Sequence, residues 1–170
     1  CHNPTGVDPT PEQWERILAT VRGRGLIPFL DLAYQGFGDG IDADGAVLRR
    51  FAETPGPVLV SSSFSKSFSI YGERVGALSV VTGSREEAAR ALSQLKRIVR
   101  ANYSNPPVHG GKIVATVLHS PELRALWEKE LAAMRDRIKA MRRSFVDKLH
   151  ARVPGAYLSF MLRQRGMFSY

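Results

Sequence analysis

The sequence has almost no cysteine and no long apolar run. Its single cysteine, Cys1, among 170 residues excludes an internal disulfide framework and is typical of a reducing compartment. No stretch approaches the roughly 20 apolar residues of a membrane-spanning helix, and no secretory leader pattern is visible. We therefore expect a cytoplasmic protein with no membrane span. Internal repeats and low-complexity tracts are also lacking, which argues against collagen-like and disordered classes.

What the sequence does contain is the composition of an ordinary folded domain and a surplus of positive charge. Apolar residues make up 44% and charged residues 24%, and a chain of this length buries roughly 70% of its unfolded surface. The net charge is +8. Residues 1–84 carry 7 Lys/Arg and 9 Asp/Glu, whereas residues 85–170 carry 17 and 7. The basic second half raises the hypothesis of a nucleic-acid partner.

Helical and strand patterns alternate over the first half of the chain. Thr10, Pro11 and Gln13 form a capping box that predicts a helix over residues 11–22, and a second helix is predicted over 46–53. Short apolar runs predict three buried strands, at residues 26–30, 58–60 and 75–81. This alternation favours an α/β sheet with mostly parallel strands. The functional groups of such a sheet lie beyond the carboxyl ends of its strands.

The second half is predicted to be helical, over residues 84–101, 111–118 and 121–151. The last helix would extend about 45 Å, whereas a compact domain of this size has a radius of gyration of about 15–16 Å. We interpret it as a strut between two domains. Its buried face is predicted from side chains at spacings of three and four: Met134, Ile138, Met141, Phe145 and Leu149. Its basic residues, Arg142 among them, alternate with acidic ones and favour a solvated face over a nucleic-acid site.

A lysine in a serine- and glycine-rich turn carries the clearest chemical signal. Lys66 lies between two predicted strands, and Ser63 and Arg74 on either side of it suit a phosphate group. Lysine amines form Schiff bases with carbonyl compounds. Asp31 closes the first predicted strand, and Tyr34 follows three residues later. Taken singly, these residues are also compatible with a solvated lysine, a surface arginine, a capping carboxylate and a packed core ring.

Three segments together resemble the motifs of class I pyridoxal-phosphate (PLP) aminotransferases. Residues 63–76 are compatible at every position with the lysine signature of that family, and residues 2–6 and 31–37 resemble two further motifs in the family's order and spacing. Residues 100–107 and 164–168 resemble the branch that contains aspartate and aromatic (tyrosine) aminotransferases. The resemblance covers essentially the whole chain, as the middle and later part of a longer enzyme.

This resemblance implies the α/β fold of fold-type I PLP-dependent transferases. Residues 1–119 then form part of the large PLP-binding domain with its mostly parallel sheet, residues 120–151 the long connecting helix, and residues 152–170 the start of the small carboxy-terminal domain. The family's amino-terminal part and its arginine for the substrate α-carboxylate are not represented. We therefore expect a fragment that is inactive or very weak on its own.

The resemblance also implies three catalytic residues. Lys66 corresponds to the lysine that holds PLP as a Schiff base and then moves a proton between the substrate Cα and the cofactor. Asp31 corresponds to the carboxylate that keeps the pyridine nitrogen protonated, so that the ring accepts electrons. Tyr34 corresponds to a group that hydrogen-bonds the phenolic oxygen of PLP.

Three further residues are implied to bind the cofactor or the substrate. Asn3 corresponds to a second group at the phenolic oxygen, lines the substrate site, and forms a cis peptide bond with Pro4. Ser63 and Arg74 correspond to phosphate ligands, where a guanidinium pairs with the dianion through two hydrogen bonds. No metal ligand is predicted.

Arg100 is implied to bind the side-chain carboxylate of a dicarboxylate substrate in the neighbouring subunit, although it also fits a plain cation at a basic helix end. The expected active unit is a homodimer. It would transfer amino groups between an L-amino acid (aspartate, tyrosine or phenylalanine) and a 2-oxo acid such as 2-oxoglutarate. Two alternatives stay open: another fold-type I PLP enzyme, such as a lyase or decarboxylase, and a non-enzymatic basic binding fragment.

Overall fold

The first helix begins at the capping box that the sequence predicts. The computed structural model describes residues 1–167, and helix α1 covers Pro11–Gly23. Thr10 Oγ1 accepts a hydrogen bond from the Gln13 backbone N–H (3.3 Å), and Gln13 Oε1 accepts one from the Thr10 N–H (2.8 Å). These bonds satisfy backbone groups that a helix end leaves unpaired, so they fix the start of α1.

Three strands form one sheet in the order β1–β2–β3: β1 covers Phe29–Leu32, β2 Val58–Ser63 and β3 Gly76–Val81. The predicted α/β class is confirmed. β1 and β2 are parallel as expected, but β3 pairs antiparallel with β2, because residues 64–75 return the chain directly to the edge where β2 ends. The carboxyl ends of β1 and β2 and the start of β3 therefore lie together at one edge, which we call the strand-end edge.

The remaining helices are α2 (Ile41–Asp44), α3 (Ala46–Ala52), α4 (Arg85–Asn102), α5 (Val108–His119), α6 (Pro121–Arg152) and α7 (Ser159–Arg163). The predicted helices are all present, and α5 starts three residues earlier than its apolar pattern indicated. Ser84 and Ser120 cap α4 and α6 by accepting backbone N–H groups at 3.1 and 3.3 Å. The 32 residues of α6 extend about 48 Å.

Two clusters of buried side chains hold these elements together. Cluster A comprises Leu18, Phe51, Val58 and Val60. It packs α1 and α3 against β2. Cluster B comprises Tyr34, Phe37 and Leu131. It joins the loop after β1 to α6, so the loop that carries the predicted Tyr34 is fixed by a helix about 100 residues further along the chain.

The predicted buried face of α6 is correct in its first half and wrong in its second. Met134 and Ile138 pack against cluster B, whereas Met141 and Phe145 are 61% and 51% exposed. Beyond Ile138 the inward-facing positions continue at spacings of four, through the half-buried Arg142 and the buried Val146, and the predicted Leu149 is half-buried. A spacing of three and a spacing of four both satisfy helical periodicity, so the pattern alone does not choose between them.

The hydrogen bonds of Arg142 explain why the spacing of four is the one that faces inward. Its Nη1 donates to the Gln164 carbonyl (2.5 Å) and its Nη2 to the Gly166 carbonyl (2.6 Å), and burial lowers the pKa of its guanidinium. The segment held in this way also contacts the start of the chain, because the Arg165 N–H donates to the Gly6 carbonyl at 2.7 Å. Arg142 is therefore an internal anchor, and the predicted solvated role is wrong for this residue.

None of the helices within residues 1–167 combines the length and apolarity that crossing a bilayer requires. Phe168, the last residue of one resemblance motif, and the end of the predicted 152–170 segment lie outside the described residues.

Candidate active site

The strand-end edge brings Asp31 next to β2. Asp31 lies within β1, one residue before its end, and pairs in register with Ser61. Ser61 Oγ donates a hydrogen bond to Asp31 Oδ1 at 2.5 Å. The carboxylate itself is exposed. It is thus oriented by a neighbouring strand and remains accessible as an acceptor for a cationic or N–H group.

The turn after β2 places Lys66 over an aromatic ring. The turn is closed by two backbone bonds, from the Phe68 N–H to the Phe64 carbonyl and from the Ser69 N–H to the Lys66 carbonyl, both 3.1 Å. Lys66 Nζ lies 4.7 Å from the centroid of the Tyr34 ring. An ammonium group at this distance over a ring face is attracted by the ring quadrupole. The structure therefore unites Lys66 and Tyr34, which lie 32 positions apart in the sequence.

Tyr34 is the most enclosed of the predicted site residues, with 8% of its surface exposed. Burial raises the pKa of its phenol, because the phenolate is the form that loses most by leaving water. The phenol therefore stays protonated at neutral pH. It is suited to donating a hydrogen bond to an anionic oxygen beside Lys66.

Ser63 and Arg74 flank the lysine turn at its two ends. Ser63 is the last residue of β2, opposite Gly76 at the start of β3, and its Oγ accepts the Ser65 N–H at 3.3 Å. Arg74 is exposed, has a left-handed backbone (φ 51°), and donates from Nη1 to the Tyr71 carbonyl at 3.0 Å. A non-glycine residue holds this conformation only where its surroundings impose it.

Helix α5 lies close to the residues on both sides of Arg74. A Cβ added at Gly110 would lie 2.8 Å from Glu73 Cβ and 2.9 Å from Val75 Cγ1. His109 Nδ1 also hydrogen-bonds Glu73 Oε2 at 2.9 Å. The residues on both sides of Arg74 are therefore packed against the backbone of α5. The Gly110–Gly111 pair in a helix was the one available signal of this close approach.

Asn3 and Arg100 occupy more peripheral positions. The Asn3–Pro4 bond is cis, as the resemblance implies, and the exposed Asn3 lies two residues from Cys1, whose Sγ contacts the Tyr34 carbonyl at 3.8 Å. Arg100, exposed on the last turn of α4, donates from Nη1 to Ser104 Oγ at 2.5 Å. A local contact thus holds Arg100, whereas the segment of Asn3 adjoins Tyr34.

The comparison with known proteins decides the family. The family model described as aminotransferase class I and II matches residues 1–170. The chain belongs to this aminotransferase family. It is 60% identical over 170 residues to the aspartate aminotransferase of Pseudomonas aeruginosa and 54% identical to the tyrosine aminotransferase of Klebsiella pneumoniae. Both alignments cover 100% of the chain and 43% of the relative, so the chain spans less than half the length of these aminotransferases.

Solved structures confirm the fold. The aromatic-amino-acid aminotransferase from Burkholderia pseudomallei, described as covalently bound to pyridoxal phosphate, superimposes with a TM-score of 0.98 at 62% identity and covers 100% of this chain and 43% of its own. The mitochondrial aspartate aminotransferase from Trypanosoma brucei gives a TM-score of 0.96 at 44% identity, covering 99% and 45%. The aminotransferase fragment therefore has the fold-type I α/β architecture. Among residues 1–167, no three His, Cys, Asp or Glu side chains are grouped to hold a metal ion.

Proposed function

We propose that this chain is the cofactor-binding part of a PLP-dependent aminotransferase. The reaction would transfer the amino group of an L-amino acid (aspartate, tyrosine or phenylalanine) to a 2-oxo acid such as 2-oxoglutarate. The observation that carries the proposal is the Lys66 amine, 4.7 Å above the buried Tyr34 ring at the edge that also presents Asp31. The PLP bound to the Burkholderia relative supports the same function.

The donor set fits PLP group by group. PLP carries an aldehyde, a phenolic oxygen, a pyridine nitrogen and a phosphate, and when bound it supplies an electron-accepting ring to the substrate carbon. Each of these groups has a suitable partner at the site. The Lys66 amine suits the aldehyde, the protonated Tyr34 phenol suits the phenolic oxygen, and the Asp31 carboxylate suits the pyridine nitrogen. The Ser63 hydroxyl and the Arg74 guanidinium suit the phosphate.

In the proposed reaction Lys66 holds the cofactor and then acts as the base that moves the proton from the substrate Cα. An amine can do both, because the neutral amine is a nucleophile and a proton acceptor and the ammonium is a proton donor. An arginine could not, since its guanidinium stays charged. The Tyr34 ring beneath Nζ keeps the amine at the strand-end edge between these two tasks.

Asp31 and Tyr34 control charge on opposite sides of the ring. The Asp31 carboxylate, oriented through Ser61, stabilises a proton on the pyridine nitrogen. The Tyr34 phenol, kept neutral by burial, donates to the phenolic oxygen, and Asn3 is proposed to assist it. Electron density is therefore drawn toward the nitrogen and away from the substrate carbon.

Ser63 and Arg74 are proposed to hold the phosphate. A phosphate dianion accepts two parallel N–H bonds from one guanidinium, and the close packing of α5 keeps the Arg74 backbone in place. The cofactor would then be held at two ends, at its phosphate by Ser63 and Arg74 and at its pyridine nitrogen by Asp31, and two fixed points orient the ring.

The proposal extends to the assembly and its location. We place Arg100 in the site of a partner subunit, where it would bind a dicarboxylate substrate, in a cytoplasmic homodimer; its exposure on the last turn of α4 supports this. We propose that residues 1–119 form part of the large domain, residues 120–151 the connecting helix, and residues 152–170 the start of the small domain. No nucleic-acid partner is proposed, because four of the basic side chains of α6 are engaged within the protein: Arg142 holds carbonyls of residues 164 and 166, Arg124 and Arg135 pair with Glu128 and Asp136 on the helix, and Lys139 pairs with Asp39.

Borohydride trapping tests the central assignment. The full-length protein containing this chain is loaded with PLP, reduced, digested and mapped; the label is expected on Lys66, and Lys66→Arg is expected to carry none. Lys96→Arg, a change of an exposed lysine on α4, serves as the matched control and should label normally. A label on another residue contradicts the proposal.

A coupled assay separates the aminotransferase from the other PLP chemistries. Aspartate, tyrosine and phenylalanine are offered as amino donors with 2-oxoglutarate as acceptor, and formation of glutamate is expected. Amine or alkene products without glutamate would instead indicate a decarboxylase or a lyase.

A further inference from the structure

The indole of Trp127, on α6, contacts both the backbone and the side chains around Lys66. Its Nε1–H donates to the Ser67 carbonyl at 2.6 Å. Its ring stacks on Phe68, with centroids 4.6 Å apart and planes 18° apart, and Phe68 in turn meets Phe64 edge-to-face at 5.5 Å. Since Trp127 and Ser67 are 60 positions apart, the shape of the lysine turn depends on a tertiary contact.

Trp127 also packs against cluster B, which contains Tyr34. One side chain therefore touches the turn that carries Lys66 and the cluster that carries the ring beneath its Nζ. The two backbone bonds that close the turn do not use the Ser67 carbonyl, which Trp127 binds instead. Ser69, within the same turn, has a left-handed backbone (φ 55°), a conformation that persists in a non-glycine residue where the surrounding structure supports it.

We propose that Trp127 is a positioning residue for Lys66. Its N–H holds the Ser67 carbonyl, and its ring seats Phe68, so that the lysine amine stays above Tyr34 where the cofactor is bound. This inference rests on the proposed function, because the position of the amine matters only if Lys66 carries the cofactor. Under this proposal, α6 positions the lysine in addition to its structural role.

The test uses three variants of the full-length protein. Trp127→Phe keeps an aromatic ring for the stack and removes the N–H donor. Phe68→Leu removes the aromatic stack and keeps the hydrogen bond from Trp127 to the Ser67 carbonyl. It is the second test variant and replaces Trp127→Phe if that variant does not fold. Trp14→Phe is the matched control: Trp14 is also partly buried, and it packs in cluster A, edge-to-face with Phe51 at 6.3 Å.

Three quantities are measured: the melting temperature of the cofactor-free protein, the dissociation constant for PLP, and the pH titration of the lysine–cofactor absorbance. A hydrogen bond of this kind is worth up to about a factor of ten, so Trp127→Phe is expected to raise the dissociation constant by up to about tenfold and to shift the titration midpoint. Phe68→Leu should raise the constant as well. Trp14→Phe should lower the melting temperature and leave the other two quantities unchanged.

The outcomes separate this inference from the function on which it rests. If borohydride labels Lys66 in the wild type but Trp127→Phe or Phe68→Leu binds PLP and titrates as Trp14→Phe does, the positioning role is overturned and the proposed function stands. If the wild type takes no label, both are overturned. A loss of affinity confined to the two variants near the turn supports the positioning role.

Discussion

The close approach of α5 to the residues around Arg74 makes a strong prediction about two adjacent glycines. A Cβ at Gly110 would lie within 3.0 Å of Glu73 Cβ and Val75 Cγ1, whereas at Gly111 the described part of the chain leaves open space within 4 Å. Both glycines are in the same helix. The substitutions Gly110→Ala and Gly111→Ala therefore add the same methyl group to the same backbone in opposite surroundings.

The expected magnitudes follow from two competing effects. Replacing an interior helical glycine with alanine stabilises by about 0.5–1 kcal/mol, and Gly111→Ala should show this gain in full. At Gly110 the added methyl meets the Cβ atoms of Glu73 (2.8 Å) and Val75 (3.2 Å), which side-chain rotation does not move, and overpacking of this kind costs about 1–3 kcal/mol. The stabilisation that alanine gives to the helix is the same in both variants, so it cancels when they are compared. Gly111→Ala should therefore be more stable than Gly110→Ala by about 1–3 kcal/mol.

The assay is urea unfolding of the cofactor-free full-length protein, together with a PLP titration. The titration adds a functional readout, because displacement of Glu73 and Val75 moves Arg74 between them. Gly110→Ala is expected to weaken PLP binding, and Gly111→Ala to leave it unchanged. Equal stability of the two variants, or a more stable Gly110→Ala, would refute the packing that we describe.

Two further predictions concern ionic and capping contacts away from Lys66. Burial acts to raise the pKa of Asp39, but the hydrogen bonds and charges of Arg165 and Lys139 outweigh it and hold that pKa below its ordinary value. Asp39→Asn should therefore lower the free energy of unfolding by at most about 1 kcal/mol. The full loss is expected above about pH 4, and no loss is expected once the pH has fallen through the lowered pKa of Asp39. A loss that is independent of pH in urea unfolding would contradict this prediction. Thr10→Ala should cost about 1 kcal/mol and speed hydrogen exchange in the first turn of α1, while Thr10→Ser, which keeps the hydroxyl, should not.

The family was readable from the sequence because the proposed site residues fall into short motifs. Asp31 and Tyr34 are three positions apart, and Ser63, Lys66 and Arg74 lie on one connection between strands. Their order indicated both the family and the edge of the sheet where they meet. The direction of β3 was not readable, since a strand's own pattern says which face is buried and not which way its neighbour runs.

The second half of α6 shows where such reasoning fails. Its apolar side chains predicted a buried face through Met141 and Phe145, yet in the structure these are exposed, Val146 is buried and Arg142 is half-buried. A charged residue is expected outside unless its donors find partners. Those partners are carbonyls of Gln164 and Gly166, more than 20 positions away, and no local pattern announces them.

The sequence by itself determined the five longer helices α1, α3, α4, α5 and α6, the capping residues of α1, α4 and α6, and the stretches that contain β2 and β3, because capping bonds and periodicity act within a few residues. It placed the first strand at residues 26–30, whereas β1 covers Phe29–Leu32 and contains no buried residue, and it did not indicate α2 or α7. Only the tertiary structure decided that Lys66 lies over Tyr34, that Trp127 contacts the lysine turn, and that Gly110 packs against the residues beside Arg74. Each of these contacts joins positions more than 30 residues apart. They depend on which surfaces of complete elements meet, and that is settled by packing the whole chain at once.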